Sequence, residues 1–315
     1  MPAHLLSVVM PTHNRSARLE RAARSVLDQR DVELELVIVD DASSDDTSDV
    51  AERLATDPRV RVLRNADTLG PGGSRNRGIG ASGGDLLGFC DDDDTWLPGA
   101  AAAVVQRMEE APEVGLVTAW HEVVHDQSGR RVLFRGPVNF GAAELLWFDL
   151  IAVPFGVIRR YKFPDDLSVD ADLPSCEDWD LWLRCAQMQP ISTVARALYS
   201  YHQHADGRVT RGDSAPVLGR RGFLQRHRNA MSPSCRIYHE LVIAQLSSGR
   251  PGVVSQMTDR GRTPAAMAFA ASVLAAGSVA SAIGVRRGDP ALPARMMRRL
   301  SAHGATAERR DTGLE

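Results

Sequence analysis

The sequence predicts an α/β protein: a mostly parallel twisted sheet flanked by helices, with a helical extension at its C-terminal end. Two observations carry the prediction. Short apolar runs at residues 5–10, 34–39, 60–63 and 86–90 alternate with segments whose apolar residues recur at helical spacing. Strands that alternate with helices pair in parallel through right-handed crossovers. From about residue 212 the pattern is helical and rich in Ala and Arg. It breaks at Gly249-Arg250-Pro251 and Gly288-Asp289-Pro290, and the last dozen residues are expected to fray.

The elements follow in order. Residues 5–10 form an apolar strand closed by Pro11-Thr12-His13-Asn14. In residues 16–30, Leu19, Ala22, Ala23, Val26 and Leu27 share a helical face, with Ser16 as N-cap. A second strand, 34–39, ends at Asp40-Asp41, and Val50, Ala51 and Leu54 mark the next amphipathic helix. After a third strand at 60–63, Gly70-Pro71-Gly72-Gly73-Ser74-Arg75-Asn76-Arg77-Gly78 opens a short helix, and 86–90 is the fourth strand. Beyond Trp96 an alanine-rich helix begins at Leu97-Pro98 and runs to about Glu110, followed by a strand at 114–120. Residues 122–134 read as a hairpin around Asp126-Gln127-Ser128-Gly129. Residues 141–150 are expected to be helical and 153–158 extended. A helix at 177–188 buries Leu181, Trp182 and Cys185, and 191–201 returns as strand. This second half is expected to continue the same sheet. The domain division expected is 1–100, 101–212 and 213–315.

At 315 residues, 43% hydrophobic and 24% charged, the chain has ample core for one large or two modest domains. A net charge of −3 provides no field for nucleic acid, so no nucleic-acid partner is expected. Cys90, Cys176, Cys185 and Cys235 show no CxxC spacing, which points to free thiols in a reducing, cytoplasmic setting. The first apolar run is too short for a signal-peptide core. Residues 263–285 carry no charge and are long enough to span a bilayer, but their Ala, Ser and Gly content favours a small-residue helix packed in a helical subdomain.

In an open parallel sheet, ligands gather beyond the carboxyl ends of the strands. Three polar clusters fall there: Thr12-His13-Asn14-Arg15, Asp40-Asp41 and Asp91-Asp92-Asp93-Asp94. Adjacent carboxylates repel by about 1 kcal/mol per pair near a surface, so four in a row call for a cation. Asp91-x-Asp93 offers hard oxygen ligands to Mg²⁺ or Mn²⁺, ions that complete their shells with substrate phosphates. Capping of the next helix would account for one or two of the carboxylates but not four. Asp40 and Asp41 either serve turn chemistry or accept hydrogen bonds from a base N–H or a ribose hydroxyl. Arg75 lies in a glycine-rich stretch that is neither GxGxxG nor GxxxxGK[ST]; it is either a partner for a base carbonyl or phosphate, or a solvated charge. Glu177-Asp178 in a first helical turn suits the helix dipole, or supplies a general base. Trp179 beside it is either core or a surface for stacking a sugar. His202 and His204 lie on one face of a strand, where they either share a metal or satisfy ordinary hydrogen bonds.

Taken together, these segments resemble the family 2 glycosyltransferases, nucleotide-sugar-dependent enzymes of the GT-A (Rossmann-like) fold, over roughly residues 7–210. Ser7-Val8-Val9-Met10-Pro11-Thr12-His13-Asn14-Arg15 is similar to the family's opening strand and turn. Val37-Ile38-Val39-Asp40-Asp41-Ala42-Ser43-Ser44-Asp45-Asp46-Thr47 resembles its nucleotide-binding segment, and Ser74-Arg75-Asn76-Arg77-Gly78 its Arg-Asn turn. Phe89-Cys90-Asp91-Asp92-Asp93-Asp94-Thr95-Trp96 resembles the metal-binding DxD segment. Glu177-Asp178-Trp179-Asp180-Leu181-Trp182-Leu183-Arg184 resembles the helix that carries the acidic pair.

The resemblance implies a metal, Mn²⁺ or Mg²⁺, held chiefly by Asp93, with Asp91 assisting and His204 contributing from Tyr201-His202-Gln203-His204. It implies a nucleoside-diphosphate sugar, UDP-type first, contacted by Pro11, Thr12, Asn14, Asp40, Asp41, Arg75, Asp91 and Asp92. Asp178, with Glu177 beside it, would be the base that activates an acceptor hydroxyl for single displacement with inversion. Residues 1–100 would then be the donor-binding half and 101–212 the acceptor-binding half. The helices of 213–315 would serve the acceptor, a second copy of the chain, or peripheral contact with the inner face of a membrane. Asp92 departs from the family pattern and leaves open whether Asp91 or Asp94 pairs with Asp93. A sugar nucleotidyltransferase would need a glycine-rich loop with Arg or Lys near its N-terminus, which Pro11-Thr12-His13-Asn14 is not. A non-catalytic nucleotide- or carbohydrate-binding protein would have little use for both the aspartate run and Glu177-Asp178.

Overall fold

A computed structural model of the chain describes residues 4–151, 155–204 and 214–247. Strand β1 (Leu5–Thr12) is apolar on both faces, and its Leu6, Val8, Val9 and Met10 are wholly buried, as in a strand covered by helices on both sides. It lies parallel between β2 (Glu33–Asp40) and β4 (Leu86–Phe89), and β3 (Val60–Arg64) pairs in parallel with the far side of β2. The crossovers are α1 (Ser16–Leu27), α2 (Thr47–Leu54) and α3 (Gly70–Ala81).

Helix α1 buries the expected stripe of Leu19, Ala22, Ala23 and Val26; each large aliphatic side chain so buried contributes roughly 1.5–3 kcal/mol. Its N-terminus differs from expectation. Arg15, not Ser16, is the N-cap residue, and it makes no side-chain cap. The acceptors come instead from the β2–α2 connection: Arg15 N donates to Thr47 Oγ1 at 2.8 Å and Ser16 N to Asp45 Oδ2 at 3.4 Å. A distant loop thus does the work assigned to a local serine. Helix α3 lies close on the sheet because of Gly78, where a Cβ would collide with Val9 Cγ1.

The second half continues the sheet through β5 (Thr95–Trp96), β6 (Leu116–His125), β7 (Arg130–Phe134), β8 (Val157–Arg159) and β9 (Ile191–Gln203). The nine strands run β3-β2-β1-β4-β8-β6-β9-β5, with β7 paired to β6. Strands β6 and β9 are parallel, while β8 is antiparallel to both β4 and β6. The sheet is therefore mixed, parallel through its first four strands, with α4 (Ala100–Glu110) and α6 (Glu177–Met188) among its helices. One expectation is corrected: the helix expected at 141–150 is only α5 (Ala142–Leu145). The residue before α4 is Gly99, at φ 75°, so the aspartate run does not cap that helix, as its four carboxylates already argued. Between them lies β5, two residues long, paired antiparallel with Ser200 and Tyr199 of β9.

The chain divides into two compact units, one of residues 1–142, 151–172 and 177–206, and a second of 143–150, 173–176 and 207–315. In the second, α7 (Ala215–His227) and α8 (Pro233–Ser247) surround an aromatic cluster in which Phe223 meets His227 and His239, and Tyr238 meets Trp147. The His239 Nε2–H donates to the Leu146 carbonyl at 2.8 Å. Burial, with Arg220 adding, pulls this imidazole down to about 3 against the opposing effect of that hydrogen bond. Among the described residues no helix is long and apolar enough to cross a membrane; residues 263–285 lie outside them.

Gly78→Ala is expected to lower stability by about 1–3 kcal/mol, the usual cost of overpacking, read as a lower urea midpoint at unchanged slope. His239 stays neutral in the folded state below the pH at which it would ionise in the unfolded chain. Its contribution is full above about pH 6.5 and is lost as pH falls toward 3. Wild-type urea midpoints should therefore fall between pH 6.5 and 4, and His239→Phe, which removes the titrating group among aromatic neighbours, should flatten that fall.

Candidate active site

Parallel register sets the site. Thr12 lies opposite Asp40, and Val9 opposite both Val37 and Phe89, so the three polar strand ends emerge side by side. At the first end Asn14 adopts φ 51°, a left-handed conformation that Asn tolerates, and its Oδ1 accepts from Ser44 N at 2.8 Å. At the second, Asp40 accepts from Ser43 N at 2.9 Å and Ser48 Oγ at 2.5 Å. Asp41 accepts from Asn65 Nδ2 at 2.6 Å, Leu69 N at 2.8 Å and Gly70 N at 2.9 Å. Both carboxylates thus hold the loops that border the site. A carboxylate has about four acceptor positions, so Asp41 keeps room for one more donor.

The aspartate run forms a tight turn, Asp94 N donating to the Asp91 carbonyl at 3.1 Å. One oxygen each of Asp91, Asp93 and Asp94 lies within 4.8 Å of the others. The cation that the sequence called for is in part supplied by arginine. Arg15 Nη1 donates to Asp93 Oδ2 at 2.6 Å and stands 3.8 Å from Asp92 Oδ1, while Arg21 Nη2 donates to the Asp93 carbonyl at 2.9 Å. The other oxygen of Asp92 accepts from Thr12 Oγ1 at 2.7 Å. Burial first, then Asp93, pushes its carboxyl up to about 7 against that hydrogen bond and Arg15. Asp94 is buried and accepts from His202 N at 2.9 Å. Cys90 beneath the turn is buried, and its thiol is pushed far above the ordinary range by burial and by the four carboxylates, which makes it a poor nucleophile.

Arg75 is not a solvated charge. Its side chain is 6% exposed, and its two Nη groups divide between Asp91 Oδ1 at 2.7 Å and Glu177 Oε1 at 2.8 Å. Burial would lower its pKa, but Asp91 and Glu177 together outweigh it, so the guanidinium is held more firmly charged than usual. Through this bridge the end of β4 meets the first turn of α6. Glu177 is thereby committed to Arg75, while Asp178, the next residue, is buried beside it. Trp179, 1% exposed, belongs to the core rather than to a sugar-stacking surface. Trp182, packed edge-on to Phe89, anchors α6 to the sheet.

Strand β9 carries the two histidines past the turn, because the pairing of Thr95 with Ser200 brings its end to residues 91–94. His202 Nε2 meets Thr95 Oγ1 at 3.1 Å, and His202 Nδ1 meets Asp126 Oδ1 at 2.8 Å. Burial holds this imidazole below its usual range despite Asp126. His204 Nδ1 lies 2.7 Å from Asp126 Oδ2, and its Nε2 is 3.8 Å from Asp93 Oδ2. That Nε2 is buried and carries no hydrogen bond among the described residues.

All the expected residues except Glu177, Asp178 and His204 come from the ends of β1, β2 and β4 and from α3; Glu177 of α6 reaches Asp91 through Arg75, with Asp178 buried next to it, and His204, just past β9, comes to 3.8 Å from Asp93. Arg21 and Asp126 were not foreseen. Arg21 lies two turns from Asn14 on a helix whose polar face looks ordinary, and Asp126 reads only as a hairpin turn residue.

Removing the Arg75 charge leaves Asp91 and Glu177 facing each other. Arg75→Met is expected to cost about 3 kcal/mol, the low end for a broken buried ion pair because Asp91 is partly exposed, measured by urea unfolding at pH 7.

Residues 7–163 match Glycosyl transferase family 2. The GalNAc(5)-diNAcBac-PP-undecaprenol beta-1,3-glucosyltransferase of Campylobacter jejuni is 39% identical over 107 residues, 33% of this chain and 35% of that enzyme. The chain thus matches about a third of that relative's length. Staphylococcus aureus TarS 1-349 in complex with UDP-GlcNAc shares the fold at TM-score 0.63 and 18% identity, covering 85% of this chain and 80% of that one. The mannosyltransferase PcManGT of Pyrobaculum calidifontis, in complex with GDP-Man and Mn²⁺, shares it at TM-score 0.59 and 17% identity, covering 96% and 86%. With the acidic turn, the loops that follow β1 and β2 and the helix of the acidic pair gathered on one GT-A sheet, the chain is a glycosyltransferase and belongs to glycosyl transferase family 2.

Proposed function

We propose that this glycosyltransferase moves a sugar from a nucleoside-diphosphate sugar, UDP-type first, to an acceptor hydroxyl by single displacement with inversion. The observation that carries the reading is the Arg75 bridge, which sets the acidic turn at Asp91 beside the helix start that bears Asp178. Asp178 takes the proton from the attacking hydroxyl. Glu177, already engaged by Arg75, keeps the helix start in place and does not compete for that proton. The loops fixed by Asp40, Asp41 and Asn14, with Pro11, Thr12 and Asp92 on the adjoining strand end and turn, hold the nucleotide, and Arg75 lies at the boundary between nucleotide and sugar.

The residues present fit a divalent cation. Three carboxylate oxygens lie within 4.8 Å of one another, and the buried His204 Nε2 stands 3.8 Å from Asp93 Oδ2 with no hydrogen-bond partner among the described residues. Asp91, Asp93 and His204 would hold Mn²⁺ or Mg²⁺, with Asp94 as an additional oxygen donor. When bound, the ion supplies charge neutralisation for a diphosphate leaving group. A UDP-GlcNAc complex in one fold relative and GDP-Man with Mn²⁺ in another support a nucleotide-sugar donor and a metal. Residues 1–100 serve as the donor half and 101–212 as the acceptor half, and the segment 213–315 serves the acceptor, a second copy of the chain or peripheral membrane contact.

Asp178→Asn is expected to lower kcat about 10²–10⁴-fold, the usual worth of general-base assistance, with urea unfolding unchanged. Nucleotide release from a panel of UDP- and GDP-sugars in Mn²⁺ reads it, and near wild-type turnover in the variant would rule out the base assignment.

A further inference from the structure

We infer that Asp126, in the turn between β6 and β7, is a positioning residue: its carboxylate fixes the tautomer of His204 so that the Nε2 lone pair faces Asp93 and the acidic turn. The inference rests on the proposed metal role of His204 and goes beyond it to a residue with no other part in the site.

An ionised carboxylate accepts and cannot donate. Asp126 Oδ1 lies 2.8 Å from His202 Nδ1 and Oδ2 lies 2.7 Å from His204 Nδ1, so each imidazole must present Nδ1–H to it. In a neutral ring the other nitrogen is then bare. For His202 that nitrogen is satisfied by Thr95 Oγ1, which donates at 3.1 Å. For His204 it is the buried Nε2, 3.8 Å from Asp93 Oδ2 and unpartnered among the described residues, on a side chain only 4% exposed. A bare imidazole nitrogen has no reason to point at a carboxylate unless a cation comes between them.

The two rings lie nearly parallel, 9° apart with centroids at 6.2 Å, and the one carboxylate spans both. Asp126 is itself tied to the turn. Arg21 Nη1 stands 3.8 Å from its Oδ2, while Arg21 Nη2 donates to the Asp93 carbonyl at 2.9 Å. A metal-ligating histidine whose far nitrogen donates to a carboxylate is held in orientation and made more basic, and losing such a partner typically costs 10–100-fold in metal affinity.

Two measurements test this. In the native protein without metal or nucleotide, ¹⁵N shifts of the histidine side chains should show His204 protonated on Nδ1 and bare on Nε2; an Nε2–H tautomer or an imidazolium at pH 7.5 overturns the inference whatever any variant does. Titration of Mn²⁺ in the presence of UDP, followed by electron paramagnetic resonance, should show Asp126→Asn weakening Mn²⁺ 10–100-fold, comparably to His204→Ala, with partial recovery in Asp126→Glu. If His204→Ala weakens Mn²⁺ and Asp126→Asn does not, the Asp126 assignment alone fails. If His204→Ala leaves Mn²⁺ binding unchanged, the metal role of His204 fails, and the inference with it.

Discussion

A buried guanidinium needs carboxylates, and in this protein the two it has come from opposite halves of the chain. Arg75 reaches Asp91 at the end of β4 and Glu177 at the start of α6, residues 102 positions from it in sequence in the second case. An isolated buried charge costs several kcal/mol, so neither element can drift without leaving the arginine uncompensated. The distance between the acidic turn and the acidic pair is therefore set by charge, with the sheet as scaffold. Glycine does the rest of the placement: Gly78 lets α3 settle against Val9, and that sets the depth from which Arg75 extends.

The acidic turn is tolerable because its surroundings are built to absorb it. Helix α1 supplies Arg15 and Arg21, β9 supplies a backbone N–H to Asp94, and β1 supplies the Thr12 hydroxyl to Asp92. The compensation is incomplete: one oxygen each of Asp91, Asp93 and Asp94 still lies within 4.8 Å of the others, and burial with Asp93 pushes the Asp92 carboxyl up to about 7. Arg15 and Arg21 supply part of the compensating charge, and the proposed divalent cation would supply the rest. The two-residue strand β5 pairs the chain just after the turn with β9, and the His202 N–H on Asp94 ties the same strand end to the turn itself.

The first four strands, their crossovers and the position of the acidic residues at strand ends could be read from residue pattern, because hydrophobic period and strand-end topology are local or nearly local properties. The same holds for the hairpin around Asp126 and the helix of the acidic pair. What failed was equally physical. Ser16 looked like a cap, but a cap needs only an acceptor in reach, and Asp45 and Thr47 were nearer. Residues 141–150 looked helical, yet only four residues of α5 keep that conformation. Trp179 was ambiguous by type and is core by burial.

By itself, the sequence determined the α/β order, the rim on which chemistry gathers, and the acidic and basic side chains able to perform it, since each follows from chain-local patterning. Only the tertiary structure decided which charges face which: that Arg75 bridges Asp91 and Glu177, that Arg15 and Arg21 serve the acidic turn, and that Asp126 sits behind both histidines. Electrostatic partnership depends on distance in space, and a sequence records distance only along the chain.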